Sequence, residues 1–502
     1  MRVLFATSEV FPLIKTGGLA DVSGSLPSAL QNLGVDIRIL VPGYPSVLSK
    51  LKNLQAIASF ENLPVINNAA LMMGTIEGTQ LKVMAIKSAS LYEREGGPYS
   101  DANGLEWLDN PLRFGILSKI AAILSGPNSP ISDWQPDITH CNDWQTGLTP
   151  AYMKLVENTQ TKSIISLHNM AFQGCYAPSW LSTLALPHSN FSIEGFEYHG
   201  QLSFLKAAIF YADAVTTVSP SYAKEIQTAA FGFGLEGLLS KRGNEIKGIL
   251  NGIETDEWNP ETDPHLIKTF SATKLAGKKL VKATLQQKLG LQIDADAPLL
   301  GVVSRLTHQK GLDMLVPIMQ ELVDAGCQLA LLGSGESELE NAFRSIAADN
   351  PTCVSVTIGY NEPLSHQIMA GCDMFIMPSR FEPCGLNQLY GLAYGTPPIV
   401  NATGGLADSV VDTNIITFKN KTANGFVMSE ASSASLLSCI KQALNVFNND
   451  ANAWRQIQKN GMSQNLSWDK SALEYLVTYN ALVKPNVESS NETGLELGTV
   501  NA

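Results

Sequence analysis

The stretch MRVLFATSEVFPLIKTGGLADVSGSLPSALQNLGVDIRILV, residues 1–41, decides the fold class. Arg2–Thr7 is a short run that is apolar on both faces, as a strand covered by helices on both sides must be. A Gly-Gly turn follows, then a helix-patterned segment, then a second apolar run, Val35–Val41. Strand, turn, helix and strand in that order make a βαβ unit with parallel strands. The same six residues, TGGLAD, occur at 16–21 and again at 403–408. The flanks differ, KTGGLADVSGSLP against ATGGLADSVVD, so the repeat reads as one local solution used twice, each time a Gly-Gly turn opening a helix. Glycine lets backbone approach a ligand, and a helix N-terminus offers unpaired N–H groups to anions.

The alternation continues along the chain. Further strands are expected at Val83–Ile86, Asp137–Cys141, Ser163–Leu167 and Asp213–Val218. A second series is expected at Leu299–Ser304, Gln328–Leu332, Val354–Ile358, Asp373–Met377 and Pro398–Val400. With 502 residues, the chain exceeds what a single core usually holds, roughly 250–300 residues. The reading is therefore α/β, with two Rossmann-like doubly wound domains facing a cleft. The expected divisions are residues 1–250, residues 251–470, a helix over 471–484 packing back on the first domain, and a disordered tail, 485–502. The seam falls at GILNGIETDEWNP (248–260), where Asn251-Gly252 and Pro260 punctuate the chain. The lysine-rich segment from His265 to about Gly290 reads as an exposed helix pair.

Composition excludes several classes. The net charge of −12 disfavours nucleic-acid binding, which needs a basic surface. No apolar run is long enough to span a membrane, and the N-terminus lacks a signal peptide's layout. Seven scattered cysteines without a CxxC pair read as reduced thiols of a cytoplasmic protein, not as a disulfide framework or a zinc site. The histidines show no HExxH spacing. No GxGxxG follows the first strand, which disfavours a dinucleotide oxidoreductase. Asp294-Ala-Asp296 fits a DxD pattern but reads as a turn before a strand.

Four loops carry chemistry. Lys15 adds a cation to the first TGGLAD turn. In SRLTHQKGLD (304–313), Arg305 and Lys310 stand after the second series' first strand, and two fixed cations suit a diphosphate. In SRFEPCGLNQLYGL (379–392), Glu382 precedes a glycine turn and a helix; a carboxylate there suits sugar hydroxyls or positive charge at a reacting carbon. HCNDWQTGL (140–148) and SLHNMAFQG (166–174) place Asp143 and His168 at strand ends.

Together with GGPYSDANG, QLSFLKAAIFYADAVTTVSPSYAKEI, FGLEGLL and GILNGIETDEWNP, these phrases resemble, in family order over about residues 1–480, bacterial glycogen synthases and plant starch synthases. The resemblance implies the glycosyltransferase-B fold and transfer of glucose from ADP-glucose to the non-reducing end of an α-1,4-glucan such as glycogen. Retention of configuration, no cofactor and no obligatory metal are implied with it. By motif, it implies that Lys15 and Gly18 face the donor and that Arg305 and Lys310 hold the diphosphate. Tyr360 would lie by the adenine. Glu382, Cys384, Gly385 and Leu386 would surround the glucose, with His168 and Asn251 opposite. Glu9, Tyr99 and Asp143 would lie on the acceptor side. Where the family commonly has basic residues, this chain has Ala393 and Asn401, and Tyr390 stands where wider relatives carry a second glutamate. The alternatives are UDP-glucose as donor, a small maltooligosaccharide as acceptor, or a non-catalytic glucan-binding paralogue. The sequence leaves the oligomeric state open.

Overall fold

The computed structural model describes residues 1–63 and 65–483. The described residues form two compact units: residues 1–166, 172–215 and 472–483 make the first, and residues 167–171 and 216–471 make the second.

In the first unit, β1 (Arg2–Ala6), β2 (Asp36–Pro42), β3 (Lys52–Leu63), β4 (Ile66–Thr75), β5 (Lys82–Lys87), β6 (Ile138–Asn142) and β7 (Lys162–Leu167) lie in the order β7-β6-β1-β2-β5-β4-β3. The strands β7 to β5 are parallel, while β4 runs antiparallel to both β5 and β3. Val3, Leu4 and Phe5 of β1 are fully buried, which is why both of its faces are apolar. The hairpin β3–β4 was not among the expected strands. β3 mixes polar with apolar residues and is largely exposed, and the apolar run Ala69–Met73 of β4 is rich in alanine and methionine and poor in the β-branched residues that mark a strand. A small sheet pairs β8 (Cys175–Tyr176), β9 (Glu197–Tyr198) and β10 (Gln201–Ser203) in the order β8-β10-β9.

The chain changes unit within β11 (Ala214–Thr217), ahead of β12 (Ile246–Gly248). The seam read at 250/251 therefore lies some way past this change. The reason is that the helix Pro220–Glu225 packs against the helix Gly404–Ser409, where Ser221 N–H and Oγ–H donate to Asp408 at 2.8 and 2.7 Å.

In the second unit, β13 (Leu299–Val303), β14 (Gln328–Gly333), β15 (Val354–Ile358), β16 (Met374–Met377), β17 (Pro398–Asn401) and β18 (Phe426–Met428) form an all-parallel sheet in the order β15-β14-β13-β16-β17-β18. Both sheets share one property. The strand order reverses beside the opening strand, with β6 and β2 flanking β1, and β14 and β16 flanking β13. The crevice outside the C-terminal ends of strands at such a reversal is where open α/β sheets bind ligands. The loops after β1, β13 and β16 leave from these points.

Two sequence expectations need correction or completion here. The lysine-rich segment is one helix, Ala276–Leu289, and not an exposed pair. Lys278 and Lys282 are buried on it. Lys278 Nζ donates to Ala370 O, Tyr394 O and Thr396 Oγ1 at 2.7, 3.3 and 2.6 Å. Lys282 pairs with Asp373 at 2.7 Å. The C-terminal helix is Trp468–Val483. From Ala472 on it belongs to the first unit, and the Tyr479 hydroxyl lies 2.7 Å from His140 Nδ1. The expected tail, 485–502, lies outside the described residues.

Candidate functional site

Each unit carries a cluster of the expected residues, and each cluster is built by the loops at its sheet's reversal point. In the first unit, Glu9 follows β1 and is buried. Its carboxylate accepts from Thr16 N–H, from Gly17 N–H at 3.3 Å and from the Tyr99 hydroxyl. The Tyr99 hydroxyl also lies 2.8 Å from Ser8 Oγ. Burial pushes the Glu9 carboxyl up, against the opposing pull of these hydrogen bonds, and it pushes Tyr99 well up too. One buried carboxylate therefore ties the GGPYS loop to the turn of the first TGGLAD. Lys15 is exposed on that turn and pairs with Asp21 at 2.8 Å. Gly17 precedes the helix Gly18–Asn32. A methyl group added at Gly17 or Gly18 would meet nothing within 4 Å, so packing does not demand glycine there. Asp143 is half-buried at the end of β6, with φ +54°.

In the second unit, the loops after β13 and β16 are laced together. Lys310 Nζ bonds Glu382 Oε2 at 2.6 Å, and Ser379 Oγ donates to the same oxygen at 2.9 Å. Arg380 forks onto both oxygens of Asp313 at 2.7 and 2.6 Å and donates to His308 O at 2.7 Å. That Arg380–Asp313 clasp was missed in the sequence because the partners are 67 residues apart and neither stood in a quoted binding role. Gly311 has φ +70°, and a Cβ there would lie 2.2 Å from Pro378 O, so only glycine lets the loops close on each other. Arg305 is exposed on the first of these loops. Glu382 is buried, Cys384 is buried, and Gly385 and Leu386 are half-buried. Burial pushes the Cys384 thiol up to about 12, so it stays protonated.

Asn251 is also buried, and no protein group donates to its Oδ1. A buried acceptor left so costs about 1–3 kcal/mol, and a ligand hydroxyl would recover it. His168 is half-buried in this same unit, and burial pushes its imidazole down to about 4, so it is neutral at pH 7. Tyr360 is exposed after β15, with its hydroxyl on Glu362.

The second TGGLAD departs from the expectation that its helix N-terminus is offered to a ligand. Glu225 accepts from Gly404 N–H at 2.8 Å and from Thr403 Oγ1 at 3.2 Å. Gly405 N–H donates to Glu382 O and Pro383 O at 3.1 and 3.2 Å. A Cβ at Gly404 or Gly405 would lie 2.0 Å from Glu382 O or Cys384 O. These glycines therefore seat the Glu382 loop. Asn401, just before, donates from Nδ2 to Ser379 O at 3.1 Å, so an amide braces that loop where the resemblance implied a basic residue. Ala393 is half-buried in the apolar cluster below.

A family model of the starch synthase catalytic domain matches residues 2–241, and one of group 1 glycosyl transferases matches residues 285–461. The chain is 49% identical over 486 residues to a glycogen synthase of Nitrosospira multiformis, covering 96% of this chain and 97% of that protein. It is 49% identical to a glycogen synthase of Nitrosomonas eutropha, covering 98% of each. Among solved structures, the catalytic domain of starch synthase IV from Arabidopsis thaliana, bound to ADP and acarbose, superposes with a TM-score of 0.85 at 32% identity, covering 96% of this chain and 99% of that one. A sucrose-phosphate synthase from Thermosynechococcus elongatus shares the fold, with a TM-score of 0.58 at 16% identity. Two doubly wound units whose reversal-point loops carry a cation–carboxylate pair thus define a glycosyltransferase of the GT-B fold. Within that class the chain belongs to the glycogen synthase family.

Proposed function

We propose that the protein transfers glucose from ADP-glucose to the non-reducing end of an α-1,4-glucan, with retention. The observation that carries this reading is the Lys310–Glu382 pair at 2.6 Å beside the buried Cys384, in a unit that also holds the unmet Asn251 acceptor. Breaking the anomeric C–O bond leaves positive charge on the sugar and negative charge on the diphosphate. Arg305 and Lys310 stabilise the leaving diphosphate, and the Glu382 carboxylate stabilises the sugar. The acceptor's 4-hydroxyl oxygen forms the new bond to C1, the electron pair leaves with the diphosphate, and the hydroxyl proton goes to the departing phosphate oxygen. Asn251 Oδ1 accepts from a glucose hydroxyl, and neutral His168 hydrogen-bonds the sugar without adding charge.

Lys15 and Gly18 are assigned to the donor, Tyr360 to the adenine, and Cys384, Gly385 and Leu386 to the wall around the glucose. Glu9, Tyr99 and Asp143 are assigned to the acceptor. A metal-independent reaction and a cytoplasmic location complete the proposal. Among the described residues no helix is long and apolar enough to cross a membrane.

The test is ADP release from ADP-glucose with glycogen in EDTA, with UDP-glucose in parallel. ADP release in EDTA is expected, and none would reject both the donor and the metal-free reading. Arg305→Ala and Lys310→Ala are expected to lower turnover by at least two orders of magnitude while the chain stays folded. A second reading, glucan binding without transfer, rests on the uncharged Ala393 and Asn401; binding without ADP release would select it.

A further inference from the structure

The second unit also holds a group of side chains, next to Tyr360 through Glu362, to which glucosyl transfer assigns no role. His366 lies on the helix Glu362–Gly371 and is 1% exposed. Its ring is stacked on Trp258, with centroids 3.8 Å apart and planes 12° from parallel. The other face of Trp258 stacks on Tyr390 at 3.7 Å. Nδ1 of His366 lies 2.8 Å from Asp263 Oδ2, which also accepts from the Tyr394 hydroxyl at 2.6 Å. Asp263 thus fixes the direction of the ring and leaves Nε2 on the side away from it. Nε2 is buried and has no hydrogen-bond partner. The closest paired carboxylate oxygen, Glu362 Oε1, is 3.7 Å away, beyond hydrogen-bond reach. One ligand atom each from Glu257, Glu362 and His366 lies within 4.8 Å of the others.

We propose that Glu257, Glu362 and His366 form a binding site for a divalent transition metal, with zinc as the preferred ion. Four features support it. An imidazole nitrogen with two carboxylates is a ligand set that borderline ions such as Zn²⁺ take, leaving a fourth position for water. The Asp263–His366 hydrogen bond is the outer arrangement that fixes tautomer and ring direction in histidine–metal sites. The stacked Trp258 and Tyr390 rings keep the imidazole from rotating. Finally, the buried Nε2 lacks the partner that a core histidine would be expected to have. Glu362 and His366 stand four apart on one helix face, and Glu257 comes from the loop after Asn251. That Glu-x3-His spacing was visible in the sequence but carries little weight without the third ligand.

The test uses full-length protein stripped with EDTA and exchanged into chelator-free buffer. Calorimetry with ZnCl₂ is expected to show one saturable site, with Mg²⁺ giving no heat. Glu257→Gln, at an exposed position, is expected to weaken Zn²⁺ binding at least tenfold with an unchanged melting temperature. Ni²⁺ is expected to quench tryptophan emission, and Trp258→Phe to remove most of the quenching. Zn²⁺ affinity unchanged in Glu257→Gln and in Glu362→Gln, or no saturable site, overturns the proposal. None of these readouts depends on glucosyl transfer.

Discussion

The two TGGLAD turns give the sharpest test, since one substitution made in each should act on different properties. In Gly405→Ala, the new Cβ would stand 2.0 Å from Cys384 O, where ordinary contact begins near 3.4 Å. The backbone must move by about 1.4 Å, the difference of those two distances. That movement breaks the Gly405 N–H bonds to Glu382 O and Pro383 O. One bifurcated hydrogen bond at about 1 kcal/mol and about 1–3 kcal/mol of overpacking give a loss of roughly 2–4 kcal/mol. For a unit of this size, that lowers its melting temperature by roughly 10 °C. The Glu382 loop shifts as well, so turnover falls too. In Gly18→Ala, the Cβ meets nothing, and alanine in the first helical turn adds up to about 1 kcal/mol of stability. Melting stays level or rises slightly, while kcat/KM for the donor falls at least tenfold, because the methyl group fills space assigned to the donor. Differential scanning fluorimetry and ADP release on the purified variants measure both. Equal destabilisation by the two substitutions would refute the packing contrast. A stable Gly18→Ala protein with normal kcat/KM would refute the donor assignment.

Other predictions follow from single side chains. His168 has a folded pKa of about 4 because burial disfavours its charge, below its ordinary value near 6.5. The unfolded chain therefore binds the extra proton between those values, and stability is lost as pH falls from about 6.5 to 4, by about 3 kcal/mol. Urea unfolding at pH 7.5 and pH 5 should show a smaller pH difference for His168→Gln than for the parent chain. Lys278→Met leaves three acceptors without their donor and is expected to cost about 1–3 kcal/mol, read as a lower urea midpoint. Burial pushes the Lys278 ammonium down to about 8, so its contribution to stability rises with pH from about 8 to 10.4, the ordinary lysine value. The Met variant should lose that rise. Asp313→Ala and Arg380→Ala should each lower turnover with little effect on the exposed surface, and a double-mutant cycle should return coupling of about 1–3 kcal/mol. Additive effects would mean that the clasp does not position Lys310.

The sequence made the parallel strands legible because each is buried on both faces, and the loops after β13 and β16 legible because they carry charge in a fixed place. The β3–β4 hairpin is largely exposed along β3, and the Ala- and Met-rich run of β4 lacks the β-branched residues that marked the other strands. Lys278 and Lys282 misled because lysine normally faces solvent; the carbonyls of Ala370, Tyr394, Ala295 and Ala297, the Thr396 hydroxyl and the Asp373 carboxylate explain their burial. The identity of the two TGGLAD phrases concealed opposite constraints. What fixes the second copy, Glu225 at its N-terminus and the Glu382 backbone against its glycines, comes from distant parts of the chain. The Lys310–Glu382 contact was equally out of reach, although each residue had been singled out on its own.

The clasp between Arg380 and Asp313 bears on how this protein could be recombined with its relatives. A chimera joined between residues 314 and 378 takes the two loops from different parents and separates the guanidinium from the carboxylate it evolved with. The Gly311–Pro378 approach is divided by the same junction. Residues 304–409, which keep the second TGGLAD with the Glu382 loop it seats, are therefore best exchanged as one block, and crossovers that respect it should yield active hybrids more often than crossovers inside it.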